Sequence, residues 1–582
     1  MDEEHVKSIR HSLAHLLAQA VIEKYPGTKV ASGPPTDTGF YYDFDMPEGT
    51  TLSQEDFPAL EERMRELAAQ HIDFVQADIS PEEAREQFTD QPYRLEKIEE
   101  KAADGKQLSM YTSGDFTDLC SGPHVSNTKE IDPESFQLTN IAGAYWKGDE
   151  NNAMLTRVYG LAFASKKDLD QYLEMQEEAR KRDHRKLGKE LDLFSFSPLV
   201  GSGLPLWSPK GTVLRTELQN RLTDISKKYD MQPVTIPHLA KRALYETSGH
   251  ADKFSDELLQ VQSQYEELVM KPVNCPHHTQ IYASQPRSYR DLPLRYMEST
   301  MQYRDEKPGE IGGLTRVRAI TVDDGHIFCT PDQVKEEARR IARIIEEFYT
   351  SLGLFGNHWV SLSVRDPQTP NAYVGDVADW EKAESMLEEL SNDMELNATR
   401  VEGEAAIYGP KLDYMFKDSL GREWQLATIQ IDFAIPKRFS LEYTADDGSK
   451  KTPVIIHRAI LGSYERFLAI LIEHFAGAFP TWLSPVQVKV LPVSEGQKEY
   501  AQEITQQLRN SDIRAELDES NETLGKKVRN AQIEKVPYWI VVGDKEKEGG
   551  VAVLEGRNGE KEDPMDIEHI ANFLKEQVSS RR

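Results

Sequence analysis

Two histidines one helical turn apart, His11 and His15, stand in the string Arg10-His-Ser-Leu-Ala-His15. On a helix, positions i and i+4 share a face, so both imidazoles can converge on one small target. A second close pair, Cys120 and His124, follows in Asp118-Leu-Cys-Ser-Gly-Pro-His124. By ligand type these four side chains suit zinc. They equally suit a metal-free hydrolytic pocket in which an imidazole is the general base.

A second set is dispersed. Cys275 lies in Lys271-Pro-Val-Asn-Cys-Pro-His-His278, His326 closes Asp323-Asp-Gly-His326, and His457 opens His457-Arg-Ala-Ile-Leu-Gly-Ser463. One cysteine and two histidines make a three-ligand zinc with an open fourth position; histidines packed in a core are the competing reading. The third set is arginines. Arg304 sits in Tyr303-Arg-Asp-Glu306, before a glycine-rich turn (Pro308-Gly-Glu-Ile-Gly-Gly313) and then Arg316 and Arg318. Arg466 interrupts an apolar helical pattern at 464–472. An arginine in such surroundings needs a carboxylate or a phosphate. No Gly-x-x-x-x-Gly-Lys-Ser/Thr string occurs, so a nucleotide site here is not a P-loop.

The elements that must hold these groups follow from periodicity. Ile9, Leu13, Leu16, Leu17 and Ala20 repeat at helical spacing, and residues up to about 180 read as mixed α/β. A long polar helix is expected over 166–189. Its end, 180–189, carries six Lys/Arg, as a solvated linker or as a basic arm near a nucleic acid. The central block, 190–484, holds helical patterns near 212–229, 332–350, 379–391 and 457–475 and a strand pattern at 424–433. From 485 the chain alternates: strands at 486–491, 513–517 and 537–542, helices at 497–509, 524–535 and 566–577, which indicates a compact α/β domain.

A length of 582 residues predicts about three or four domains. With 38% hydrophobic and 29% charged residues the chain is globular, neither fibrous nor broadly disordered. Three cysteines are too few for a disulfide framework and fit a reducing cytosol. The opening Asp2-Glu-Glu4 is unlike a secretory signal, and the most apolar stretch, 454–479, is broken by charges, so no membrane span and a cytoplasmic location are expected. A net charge of −29 argues against a general nucleic-acid coat while permitting a local basic track.

Taken together, Arg10-His-Ser-Leu-Ala-His15, Gly143-Ala-Tyr-Trp-Lys-Gly148, Lys181-Arg-Asp-His-Arg-Lys186, Asn274-Cys-Pro276, Asp323-Asp324 with His326-Ile-Phe-Cys329, and His457 to Ser463 resemble the threonyl-tRNA synthetases. These are class II aminoacyl-tRNA synthetases, and the likeness runs over nearly the whole chain. It implies an α+β multidomain protein: an N-terminal α/β editing domain with linker helix (1–180), a class II antiparallel-sheet catalytic domain (181–484) and a C-terminal α/β anticodon-binding domain (485–582). The small N-terminal ubiquitin-like domain of many relatives is not expected, because the likeness begins at the editing domain.

The resemblance also implies roles. Arg304 would hold the ATP α-phosphate, Glu306 the adenine amino group, and Arg316 and Arg466 the outer phosphates, with magnesium bridging phosphates. Lys411 and Gln425 would line the threonine and adenylate pocket with Tyr408, Gln430 and Ser463. Cys275, His326 and His457 would hold one zinc per subunit, which threonine chelates while Asp324 accepts from its hydroxyl. Residues 213–237 resemble the family's dimer-interface signature, so a homodimer acting on threonine, ATP and tRNA(Thr) is implied. Valine cannot coordinate through a methyl, a loss of roughly 10⁴–10⁵ in specificity; serine lacks only a methyl, about 1–3 kcal/mol, so a second, hydrolytic site is needed. His11, His15, Cys120, His124 and Asp118 would supply it, without metal by family likeness.

Several positions depart from the family pattern. His277 stands for a usual glycine, Val322 for glutamine, Leu426-Ala427 for Cys-Gly, and Arg94 where lysine is frequent; the run 551–557 lacks arginines placed there in relatives, which puts anticodon contacts near Arg557 in question. Rival readings are a non-catalytic RNA-binding paralogue, a metallohydrolase centred on the N-terminal histidines, and a class II synthetase for another amino acid.

Overall fold

The computed structural model describes residues 3–253, 257–369 and 372–580. The chain divides into two compact units, Met1–Glu178 and Ala179–Arg582.

The first unit is built on the helix Glu3–Lys24, whose Ile9, Leu13, Leu16, Leu17 and Ala20 are buried as the spacing predicts. They pack with Phe40, Tyr42, Phe44, Met64, Phe136 and Val158 in one core. An antiparallel sheet orders its strands as Lys29–Val30, Gly39–Asp45, Met154–Ala162 and Phe136–Tyr145. A second sheet joins Phe74–Ile79, Leu108–Ser113 and Phe116–Leu119. The helix Pro92–Ala103 presents Arg94 and Lys97, three residues apart and so neighbours on its surface. At Gly122 (φ +69°) an added Cβ would lie 2.5 Å from the Tyr111 hydroxyl, so only glycine fits the turn between Cys120 and His124.

The second unit centres on an eight-stranded sheet ordered Gln232–Pro233, Leu294–Tyr303, Ala319–Cys329, Val454–Ala459, Glu423–Asp432, Lys411–Lys417, His358–Val364, Thr399–Glu402. Pairing is antiparallel throughout except at the two edges, where Gln232–Pro233 and Thr399–Glu402 add in parallel. Directly opposed residues on neighbouring strands share a face. The register therefore lines up His326, His457, Gln430 and Lys411 across four strands. Helices Pro209–Lys228, Val334–Thr350, Val377–Asp393 and Tyr464–His474 contribute to the large core on this sheet. A smaller sheet sets Ala515–Leu517, Val488–Pro492 and Tyr538–Val542 in parallel, with Leu554–Gly556 antiparallel at its edge.

Two expectations need correction. The helix expected over 457–475 is a strand through Ala459, and only Tyr464–His474 is helical. His457-Arg-Ala-Ile reads apolar at helical spacing, yet it is a central strand buried on both faces, where periodicity does not discriminate. The helix expected over 166–189 breaks at Asp183, whose carboxylate accepts the Arg185 backbone N–H and caps a new helix, His184–Glu190. The strand Leu554–Gly556 and helix Asp544–Gly549 fall where no element was expected.

Candidate functional sites

In the second unit Arg304, Glu306, Arg316, Ser463 and Arg466 line one cavity of about 170 Å³. Arg304 and Glu306 lie at and just beyond the end of the strand Leu294–Tyr303, and Arg316 lies on the loop before Ala319–Cys329. Ser463 is the N-cap of Tyr464–His474: its Oγ accepts the Arg466 N–H at 3.3 Å. Arg466 Nε donates to the Thr315 carbonyl (3.0 Å), which ties the helix to the glycine-rich loop. Partial desolvation, then repulsion from Arg304 and Arg316, pulls the Arg466 guanidinium below its ordinary pKa. Buried Glu306 accepts from Arg316 Nε at 2.7 Å. Three guanidinium groups share one carboxylate inside the cavity, and that excess of positive charge suits a polyanion.

Cys275, at the start of the helix Cys275–Ala283, meets His326 and His457: one donor atom from each lies within 4.8 Å of the others. All three residues are buried. His457 Nε2 lies 2.8 Å from Asp432 Oδ2; the carboxylate can only accept, so the proton sits on Nε2 and Nδ1 is left bare. His278 Nδ1 and His326 Nδ1 lie 2.8 Å apart and share one proton between them. His326 Nε2 lies 3.8 Å from Asp324 Oδ1, and burial, then His457 and His278, holds His326 well below the ordinary imidazole pKa. His457 thus keeps an unprotonated nitrogen for a metal, and one cysteine with two histidines fits zinc. Burial, then Asp324 and Asp432, raises the Cys275 thiol, a cost that a bound cation would remove.

Around this centre, Asp324 Oδ2 accepts from Asn274 Nδ2 (3.0 Å), and burial raises its carboxyl. The Tyr408 ring stands 4.9 Å from His457, centroid to centroid. Gln430 Nε2 donates to the Gly409 carbonyl at 3.3 Å. Lys411 and Gln425 meet through a residue that sequence reasoning missed. Buried Asp413 takes Lys411 Nζ on Oδ2 and Gln425 Nε2 on Oδ1, each at 2.8 Å. The same carboxylate accepts from Ser363 and Thr428, also at 2.8 Å. An Asp two residues beyond a strand lysine is the only sequence signal for it. His184, at the start of its helix, is a second missed residue. Its Nδ1 lies 2.6 Å from Glu473, and its Nε2 accepts the Leu314 N–H at 3.1 Å. With both ring nitrogens committed, the Asp183, His184 and Glu473 group is a tether and offers no metal site.

In the first unit, His11, His15, Asp118 and Cys120 line a cavity of about 540 Å³. His124 packs behind them, its ring 4.1 Å from His11 and 4.3 Å from His15. His11 Nδ1–H donates to the Pro123 carbonyl (3.1 Å), so Nε2 is bare and faces Cys120 Sγ at 3.3 Å. The Ser12 hydroxyl donates to the Ser8 carbonyl (2.9 Å), so it accepts from His124 Nδ1–H (3.1 Å). His124 Nε2 is then also bare, 3.3 Å from the same sulfur. One thiol proton cannot serve two acceptors. Either one imidazole lone pair stays free as a base, or a cation takes both. Burial pushes the Cys120 thiol up to about 11 and lowers His11, His15 and His124. Asp118 Oδ2 accepts from Tyr42 (2.6 Å) and Arg94 (2.5 Å) and stands 3.6 Å from His15 Nε2. Tyr42 was not anticipated; it is an apolar-pattern strand residue whose hydroxyl is invisible to periodicity.

Among the described residues no helix is long and apolar enough to cross a membrane. Residues 254–475 match the tRNA synthetase class II core domain (G, H, P, S and T). Residues 487–577 match the anticodon binding domain, and 108–159 the threonyl and alanyl tRNA synthetase second additional domain. The threonine–tRNA ligase of Gloeobacter violaceus is 47% identical, aligned over 100% of this chain and 94% of its own length. That of Cytophaga hutchinsonii is 46% identical over 100% of this chain and 90% of its own. Among solved structures, the RNA binding domain of threonyl-tRNA synthetase from Cryptosporidium parvum Iowa II is similar at TM-score 0.65 and 34% identity. It covers 68% of this chain and 98% of that one. Whole-length identity at this level, on a class II core with both flanking domains, makes the chain a member of the threonyl-tRNA synthetase family.

Proposed function

We propose that the protein activates threonine with ATP, transfers it to tRNA(Thr), and hydrolyses seryl-tRNA made in error. The observation that carries the synthetic half is the convergence of Arg304, Arg316 and Arg466 on one cavity, in the same unit as the Cys275, His326 and His457 group. Little covalent chemistry is asked of the protein. The arginines neutralise the triphosphate and the charge that grows on the phosphoryl oxygens as the threonine carboxylate attacks the α-phosphate. Glu306 would exchange Arg316 for the adenine amino group, and magnesium would accompany ATP. Lys411 and Gln425, fixed by Asp413, would line the pocket with Tyr408, Gln430 and Ser463.

Zinc held by Cys275, His326 and His457 would supply an open coordination position for the amino and hydroxyl groups of threonine, with Asp324 accepting from that hydroxyl. The first-unit cavity would clear seryl-tRNA through its imidazoles, and we read it as metal-free. The boundaries 1–180, 181–484 and 485–582 would separate hydrolysis, synthesis and anticodon binding. A homodimer through 213–237 and a cytoplasmic location complete the reading.

An amino-acid panel in ATP–pyrophosphate exchange tests it. Exchange should depend on threonine and fall at least 10²-fold in Arg304→Ala and in Arg466→Ala, on the scale of losing one preorganised charge donor. Robust exchange in both variants would remove these arginines from the site. Light scattering at micromolar concentration should give twice the chain mass.

A further inference from the structure

The first-unit cavity has a cationic wall that its proposed chemistry has not used. Arg94, Lys97 and Lys101 line it from one face of the helix Pro92–Ala103, together with His11, His15 and Cys120. Arg94, which stands where relatives often carry lysine, is locked: its guanidinium is buried, bonded to Asp118 and Tyr42 and donating to the Ala31 carbonyl at 2.8 Å. A guanidinium does not give up its proton in a protein. One turn along, Lys97 Nζ donates to the same Ala31 carbonyl (3.0 Å) and to Ser32 Oγ (3.3 Å). An ammonium has three N–H donors, so these two partners leave one for a molecule in the cavity.

We propose that the Lys97 amine takes and returns the proton of the water that hydrolyses an aminoacyl ester in this cavity, a role that rests on the editing reading above. The water oxygen bonds to the ester carbonyl carbon and its proton passes to the neutral amine. The carbon–oxygen bond to the ribose then breaks, and the ammonium returns the proton to the departing 3′-oxygen. Free serine and tRNA leave, and the amine is restored. No other reactant is required.

The groups around Lys97 suit this role. Burial, then Arg94, lowers its pKa to about 8, while Asp118 and Cys120 oppose and Lys101 adds to the fall. Glu100 also lines the cavity but is bonded to Lys147, and the Trp146 ring stands 5.5 Å from Nζ. At that value about one amine in ten is unprotonated at pH 7, close to what a general base needs. The imidazoles are depressed by burial and by one another, so each holds a transferred proton weakly.

The test is single-turnover hydrolysis of preformed seryl-tRNA from pH 6 to 9, with the spontaneous rate subtracted, by the parent, Lys97→Met, Lys97→Arg and the His11→Ala, His15→Ala double variant. Unfolding midpoints control for folding. The parent rate should climb with pH and level off near 8. Lys97→Met should lose about 10²–10⁴-fold. Lys97→Arg, which keeps the charge and both hydrogen bonds, should not restore it. Parent-like rate and pH limb in Lys97→Arg would overturn the proton-transfer role, and parent-like Lys97→Met would overturn any role. If the double variant is dead while both Lys97 variants match the parent, the proposal alone falls. If the parent itself leaves seryl-tRNA intact, the editing reading and the proposal fall together.

Discussion

An imidazole ligates a metal only through a nitrogen that carries no proton, so the partner of its other nitrogen decides whether it can bind at all. Asp432 makes that choice for His457. About one zinc per chain is expected by elemental analysis, lost with Cys275→Ser because two histidines alone are a poor tetrahedral set. Asp432→Asn should keep the zinc but weaken it about 10–100-fold in a competition titration with a chelator. Unchanged affinity would mean that the His457 tautomer is set elsewhere. Two zinc ions per parent chain would place a second metal among His11, His15, Cys120 and His124. At this scale the sequence was informative where a residue type is itself the chemistry: the Cys, His and Arg positions were legible. Asp413, Tyr42 and His184 were not, because their importance lies in which partners the fold brings to them.

Register and caps do the positioning at the next scale. His326, His457, Gln430 and Lys411 occupy strands far apart in sequence and become one row only because three antiparallel pairings hold in register. A shift of one residue would turn a whole strand's side chains to the other face. Such long-range pairing leaves no local periodic trace, which is why helices such as Glu3–Lys24 and Pro209–Lys228 were readable while His457 was assigned to a helix. His184 performs a comparable task for a loop. It joins the glycine-rich loop, through Leu314 N–H, to Glu473 at the far end of the helix that carries Arg466. His184→Ala should leave the buried Leu314 N–H without its acceptor, while Glu473 keeps Arg422 and the backbone N–H of residue 184, and cost about 1–3 kcal/mol in denaturant unfolding. Since Arg316 and the Thr315 carbonyl ride on the same loop, the KM for ATP should rise more than the KM for threonine. Equal changes in the two would make His184 a general stabiliser with no hold on the nucleotide loop.

For the whole molecule, the proposed function puts two sites of opposite chemistry, synthesis and hydrolysis, in separate units. On that reading the synthetic pocket would reject valine through a missing polar contact, but serine differs from threonine by one methyl, which supplies no more than about 200-fold discrimination. Accuracy beyond that needs a second sieve whose pocket accepts serine and excludes, or is disturbed by, the extra methyl. The first unit has its own core and its own cavity of about 540 Å³, so a defect there leaves the cavity lined by Arg304, Arg316 and Arg466 intact. The His11→Ala, His15→Ala double variant, supplied with serine, ATP and tRNA, should accumulate seryl-tRNA that the parent clears, with threonine-dependent exchange as the measure of the synthetic site. Losing one buried imidazole, His15, also removes a neighbour of Asp118 and Phe116, so the unfolding midpoint is followed in parallel. Clearance at the parent rate by a folded double variant would make the two histidines structural, and the discrimination against serine would then have to arise outside this cavity.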